Sequence, residues 1–263
     1  MLHRTVCLFA SLALLVSFGD AADKMHELGQ VCNRDILGKT EKERNECKAL
    51  NIEFASLDGS EIEKIHKMLR NPKLKFLRLR DVGLTAKQSA TMISAVAKDS
   101  SVEEFVFREN PVDDKALVAF ASIFESGRIV MLDLRGTELG DKGAEQLALG
   151  LQSGTPGILN LNIDGTGIGD KGMVALMEQL IKTKTVRMIL LSNNPIDAEG
   201  AKAVAKFIEA KTPLDTVYLK APPQMGEEAR AALREAARRQ KDRVNFYDVK
   251  RESIQKNWAH DEL

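Results

Sequence analysis

The chain has 263 residues, of which 44% are hydrophobic and 29% charged, a balance found in folded proteins and too apolar for a disordered one. Its 38 Lys and Arg are matched by 38 Asp and Glu, and aromatics make up only 5%, so it has neither the cation surplus nor the stacking platforms of a nucleic-acid binder. Three cysteines are too few for a miniature scaffold built on disulfides.

Residues 1–22 read as a secretory signal peptide. His3 and Arg4 make a short basic start, and an apolar run extends from Val6 to Phe18. Gly19-Asp20-Ala21 then fits a small-x-small cleavage site. The run falls short of the roughly 20 apolar residues that span a bilayer, so no stable membrane insertion is expected after cleavage.

Residues 23–73 are expected to form a helical N-terminal cap. Two short helices are read in residues 23–50, broken near Gly38-Lys39-Thr40. A further amphipathic helix runs from Gly59 to Arg70, with Ile62, Ile65, Met68 and Leu69 on one side, and stops before Pro72. Cys32 and Cys47 fall one on each of the two short helices. In an oxidising compartment they can close the hairpin as a structural disulfide. The other reading is a redox helper or enzyme subunit using this pair, although the sequence lacks C-x-x-C.

Residues 74–249 are repetitive. LDLRGTELGDKG at 132–143 and LNIDGTGIGDKG at 161–172 are nearly the same, and ILLSNNPIDAEG at 189–200 echoes them. The core of each unit begins at Leu77, Phe105, Leu132, Leu161, Ile189 and Val217, in steps of 28, 27, 29, 28 and 28. Each unit follows L-x-x-L-x-L-x-x-N-x-L. The three leading columns run from Leu74, Leu77 and Leu79 to Leu214, Val217 and Leu219, and all are apolar. The Asn column reads Val82, Asn110, Thr137, Thr166, Asn194 and Pro222, residue types that mostly bond to turning backbone. After each turn the spacing becomes helical, as in Ala144, Leu147, Ala148 and Leu151 or Ala201, Val204, Ala205 and Ile208. Val244-Asn245-Phe246 adds a last edge strand. The polar residues 250–263 form a tail ending in His260-Asp261-Glu262-Leu263, an endoplasmic reticulum retrieval signal. With the signal peptide, this HDEL tail gives residence in the lumen and a retrieval receptor as one partner.

This pattern resembles the ribonuclease-inhibitor type of leucine-rich repeat. The resemblance implies an α/β solenoid, or horseshoe, with a concave parallel sheet and convex helices. It also implies a non-enzymatic protein-binding module or scaffold without a cofactor, whose partner here would be lumenal. A subunit of a folding or quality-control complex is a variant of that reading.

Strand alternation places the residues between the apolar columns on the concave face. One column reads Arg80, Arg108, Arg135, Asp164, Ser192 and Lys220. The next contains Arg78, Val106, Asp133, Asn162, Leu190 and Tyr218. The third contains Phe76, Glu104, Met131, Asn160, Met188 and Thr216. The candidate binding residues are Phe76, Arg78, Arg80, Arg108, Met131, Asp133, Arg135, Met188, Leu190 and Tyr218. They combine an arginine-rich half with an apolar group, residue types enriched at protein interfaces. The three arginines Arg80, Arg108 and Arg135 are expected to stand side by side in solvent, only partly offset by Glu104 and Asp133. The alternative is a solvated sheet face of weak ion pairs. Gly165-Thr166-Gly167-Ile168-Gly169-Asp170-Lys171-Gly172 mimics a phosphate-cradling loop, but its spacing fits neither nucleotide fingerprint and its equivalents recur as turns. As a calcium loop it puts Ile168 where an oxygen ligand is needed. The four histidines offer no metal-ligand spacing.

Overall fold

The computed structural model describes residues 30–153, 157–240 and 245–248. Among them nine strands pair in chain order in one parallel sheet: β1 (Val31–Cys32), β2 (Ala49–Glu53), β3 (Phe76–Arg80), β4 (Glu104–Arg108), β5 (Met131–Asp133), β6 (Asn160–Asn162), β7 (Met188–Leu190), β8 (Thr216–Leu219) and β9 (Asn245–Asp248). The helices are α1 (Glu41–Arg44), α2 (Gly59–Leu69), α3 (Ala86–Asp99), α4 (Asp114–Glu125), α5 (Gly140–Ser153), α6 (Asp170–Thr183), α7 (Ala198–Glu209) and α8 (Glu227–Arg239). From β2 onward, each strand is followed by a helix that returns the chain to the next strand, as parallel pairing requires. The fold is an α/β solenoid of strand–helix units on one open parallel sheet, consistent with the leucine-rich-repeat resemblance.

The sequence columns become the sheet register. Leu77 lies opposite Phe105, Phe105 opposite Leu132, Leu132 opposite Leu161, and Leu161 opposite Ile189. All eighteen leading apolar positions are buried to 2% exposure or less. They meet the inner faces of the helices in one continuous core that runs from Cys32 to Ala236. Strands stack about 4.8 Å apart and packed helices about 8–10 Å apart, so the helix side is the longer and the sheet curves inward.

The Asn column holds the turns after the strands. Asn194 Nδ2 donates to the Ile163 and Leu191 carbonyls at 2.7 and 2.9 Å, while its Oδ1 accepts from the Thr166 and Ile168 amides. Asn110 bonds the Leu79 and Arg108 carbonyls, and its Oδ1 accepts from the Val82 amide. Val82 therefore needs no polar side chain of its own, because the next repeat satisfies its backbone.

A second column follows directly after the strands. Phe54, Asp81, Glu109, Gly136, Gly165 and Asn193 all have positive φ, between 45 and 68°. A left-handed residue at this step turns the chain out of the sheet. Glycine takes it freely and Asn or Asp at modest cost, whereas other side chains lose about 1–2 kcal/mol there.

The N-terminal region has the two expected short helices, a 3-10 helix at Arg34–Gly38 and α1, parted at Lys39-Thr40, and the expected helix from Gly59, but it is not a purely helical cap. Residues 49–69 form a strand and a helix that belong to the solenoid, with Leu50 opposite Leu77. Cys47, Leu50 and Ile52 occupy the three leading columns, 27 residues before Leu74, Leu77 and Leu79. A cysteine in the first column disguised this unit. The cysteines are not on helices either. Cys32 ends the edge strand β1, Cys47 lies just before β2, and a disulfide joins them with their Cα atoms 6.0 Å apart. At the other end the expected strand is present, but Phe246 rather than Val244 lies opposite Val217.

The disulfide links residues 15 apart and fastens β1 over the open end of the core. Replacing both cysteines with Ala should lower stability by about 3 kcal/mol. Denaturant unfolding with and without reductant checks this: reductant should weaken the native protein and leave the double variant unchanged.

Candidate functional site

The strand register brings the arginine column together on the concave side. Arg80 lies opposite Arg108, and the Glu109 amide donates to the Arg135 carbonyl one repeat further on. Arg78, Arg80 and Arg108 each meet a carboxylate, which offsets much of the repulsion in the column although Arg108 still acts against Arg135. Arg80 bonds Glu109 at 3.0 Å and lies 3.8 Å from Glu53. Arg78 bonds Glu53 at 2.7 Å. Arg108 Nη2 meets Asp133 Oδ2 at 2.6 Å, and both residues are buried. The expected stack of like charges is therefore a set of diagonal ion pairs between neighbouring strands. Glu53 and Glu109 were missed as partners. Glu53 lies in the unit taken for a cap, and Glu109 is a turn residue outside the strand pattern.

The network continues beyond the arginines. Asp133 also accepts from Asn162 Nδ2 at 3.1 Å and, through Oδ1, from the Arg135 amide at 3.0 Å. Asn162 Oδ1 accepts from the Asp164 amide, and Asp164 Oδ1 accepts from the Ser192 amide at 2.6 Å. Ser192 Oγ then accepts from the Lys220 amide. One polar row thus crosses from β3 to the end of β8.

Nor is the face a solvated one. Phe76, Val106, Met131, Met188 and Leu190 are buried and form a second apolar cluster with Ala49, against which the half-buried Tyr218 packs. The sequence-predicted residues Met188, Leu190 and Tyr218 do come together, but in the same cluster as Phe76 and Met131 rather than as a separate group. Arg78 and Arg80 keep part of their guanidinium surface in solvent, at 11% and 26% side-chain exposure.

Electrostatics separates the two acids of the row. Burial works against the Asp133 anion, but the Arg108 charge and hydrogen bond outweigh it and hold the carboxyl below its ordinary range. Asp164 has weaker support. Burial raises it to about 7 against the opposing pull of Arg135. Burial first, and then the Arg108 cation, lowers Arg135.

The glycine-rich turn is already filled. Asp141 Oδ1 accepts from the Gly169 and Gly172 amides at 2.8 and 2.9 Å, so the preceding repeat caps the start of α6. Asp170 does the same for α7 through Asp197 and Gly200, and Asp197 bonds the Gly226 amide at the start of α8. A Cβ on Gly172 would lie 2.8 Å from the Asp141 carboxylate oxygen. The motif that mimics a phosphate cradle is an inter-repeat cap. Among the described residues no group of three or more His, Cys, Asp and Glu is placed to hold a metal ion. No helix of the described residues is long and apolar enough to cross a membrane. Residues 1–22 and the retrieval residues His260, Asp261, Glu262 and Leu263 lie outside the described residues.

Residues 131–148 and 159–177 match a family model described as Leucine Rich repeat. These segments cover β5 with the first half of α5, and β6 with the first half of α6. No curated protein matches the chain. Repeats of this class generally build protein-binding scaffolds, and the fold and the matched segments suggest that class for this chain.

Two outcomes follow for the polar row. Arg108→Ala strands the buried Asp133 anion and should cost about 3–5 kcal/mol, while Arg108→Met with Asp133→Leu should recover most of the loss. Chemical denaturation of the two variants compares them. Asp164 is protonated up to about pH 7 in the folded chain but only up to about pH 4 in the unfolded one. The folded state therefore holds more protons between those values, and this contribution to stability, complete below pH ~4, is lost as pH rises through ~7. The opposite holds for Asp133, whose contribution is lost as pH falls below its unfolded value of about 4. In a thermal-melt series, Asp164→Asn should flatten the decline between the two pH values.

Proposed function

We propose that this chain is a non-enzymatic scaffold of the endoplasmic reticulum lumen that holds another lumenal protein on its concave face. The observation that carries the reading is the polar row across β3 to β8, set beside an apolar cluster on the inner side of a repeat sheet. The partner's chemistry follows from the row. Glu53 is the partly exposed carboxylate that pairs with Arg78 and lies 3.8 Å from Arg80, so an acidic segment can exchange with it and take up bidentate contacts while Glu109 stays on Arg80. An apolar residue beside it meets the Tyr218 end of the cluster. Deeper members, Arg108 and Asp133, fix the geometry of the row from below.

The address supports the same reading. An apolar leader at Val6–Phe18 and the terminal His260-Asp261-Glu262-Leu263 point to import followed by retrieval, with the retrieval receptor as a second, transient partner. Burial of the Cys32–Cys47 disulfide favours a structural role for the pair over the redox alternative. A buried disulfide offers no accessible sulfur to a client thiolate.

A photo-crosslinking side chain at Tyr218 in the expressed, full-length protein tests the face. It should trap a discrete lumenal product that the same group at Lys202, on the helix side, does not trap. Equal labelling from both faces would remove the concave-face reading. Deleting residues 260–263 should move the chain into the medium, and unchanged retention would remove the address.

A further inference from the structure

We propose that Phe54 is the anchor of a second docking point, on the rim of the sheet, for a protein segment that presents an apolar side chain next to a Lys or Arg. The starting observation is a mismatch. Phe54 occupies, with φ of +52°, the left-handed turn position that Asp81, Glu109, Gly136, Gly165 and Asn193 fill in later repeats, and it is the one apolar residue of that column. Its backbone conformation disfavours a phenylalanine, and packing does not compensate for this. Among the described residues it is the most exposed large apolar side chain, 64% against 56% for Val118. Neither local conformation nor the core explains an aromatic ring here, and strain of this kind is characteristic of working sites.

The ring is also held ready. The Arg80 guanidinium sits 4.5 Å from its centroid, and Arg80 is itself fixed by Glu109 at 3.0 Å. One face of the ring is therefore occupied by a cation, and much of the rest is open to solvent. A fixed, solvent-facing aromatic loses little conformational freedom when it is covered, which suits it to be an anchor.

Its neighbours set the partner's charge. The turns stack strand by strand, with the Phe54 amide donating to the Arg80 carbonyl at 2.9 Å and the Ala55 amide to the Asp81 carbonyl at 3.1 Å. Asp81 and Glu109 therefore follow Phe54 along the rim at about 4.8 Å per strand. Both are exposed, and Asp81 makes no ion pair among the described residues. With Arg80 and Glu109 paired to each other, the open charge beside the ring is that of Asp81. A basic residue of the partner can meet Asp81 while its apolar neighbour covers the ring. This site lies on the rim and takes the opposite charge to the concave row.

The probe is a random peptide library displayed on phage, panned on the full chain with its disulfide intact. Recovered peptides should pair a large apolar residue with a nearby Lys or Arg. Their affinity should fall by about tenfold or more in Phe54→Asn. It should also fall in Asp81→Lys. The same Phe54→Asn change should raise the melting temperature by about 2–4 °C, because Asn accepts the turn with less strain. A set of peptides none of which loses affinity in Phe54→Asn, Phe54-dependent peptides that are acidic rather than basic, or no enrichment at all would overturn the proposal; acidic peptides indifferent to Phe54→Asn belong to the concave face and are scored apart. So would a lowered melting temperature, which would make the ring a packing element. The Tyr218 crosslink is read separately, so the rim and concave-face readings fail independently.

Discussion

Lateral register is the constraint on which this structure depends. In a parallel sheet of nearly equal repeats, each residue meets the residue one repeat away at about 4.8 Å. Every position of the repeat therefore becomes a column, and every column must tolerate contact with itself. The apolar columns satisfy this by burial, as Leu77, Phe105, Leu132 and Leu161 show. The Asn column satisfies it by bonding backbone across repeats, as Asn110 does for Val82. The starts of α6, α7 and α8 satisfy it by taking an Asp from the preceding repeat, as Gly169 and Gly172 take Asp141. No single repeat closes its own hydrogen bonds, so the repeats stand or fall together.

Charged columns are the hard case, because like charges cannot stack without a counter-ion. The sheet solves this diagonally. Arg78 reaches Glu53 rather than its register partner Asn51, and Arg108 reaches Asp133 rather than Arg80. The outer pairs keep some contact with solvent, whereas the buried pair holds structure and is costly to break. The same face thus combines a firm floor with replaceable surface contacts, which is what a binding scaffold needs. At Asp164, burial outweighs the pull of Arg135 and raises the acid to about 7.

Much of this was legible in the sequence because repeats average out noise. Eighteen apolar positions in register and a turn column with Asn and Thr point to strand, turn and helix, and the matched segments 131–148 and 159–177 agree. The first repeat was not legible. Cys47 stood in a leucine column and could be read as one half of a bridge alone, although it is both. The glycine turn was read as repeat chemistry, but its occupant, a carboxylate from the preceding unit, was not visible. The Phe54 position was missed because its turn column appears only once backbone angles are compared across repeats.

The sequence by itself determined the period, the strand positions and the pairing candidates Cys32 and Cys47, because these follow from residue types recurring at short range. Tertiary structure decided everything that depends on a neighbour 25–31 residues away. It buried Met131, Met188 and Asp133 on a face that alternation alone makes solvent-facing. It gave Arg108 a partner and left Asp164 with a raised titration. Alternation assigns a side chain to a face. Whether that face is wet, and which charge stands opposite, depends on where the adjacent repeats place their own side chains.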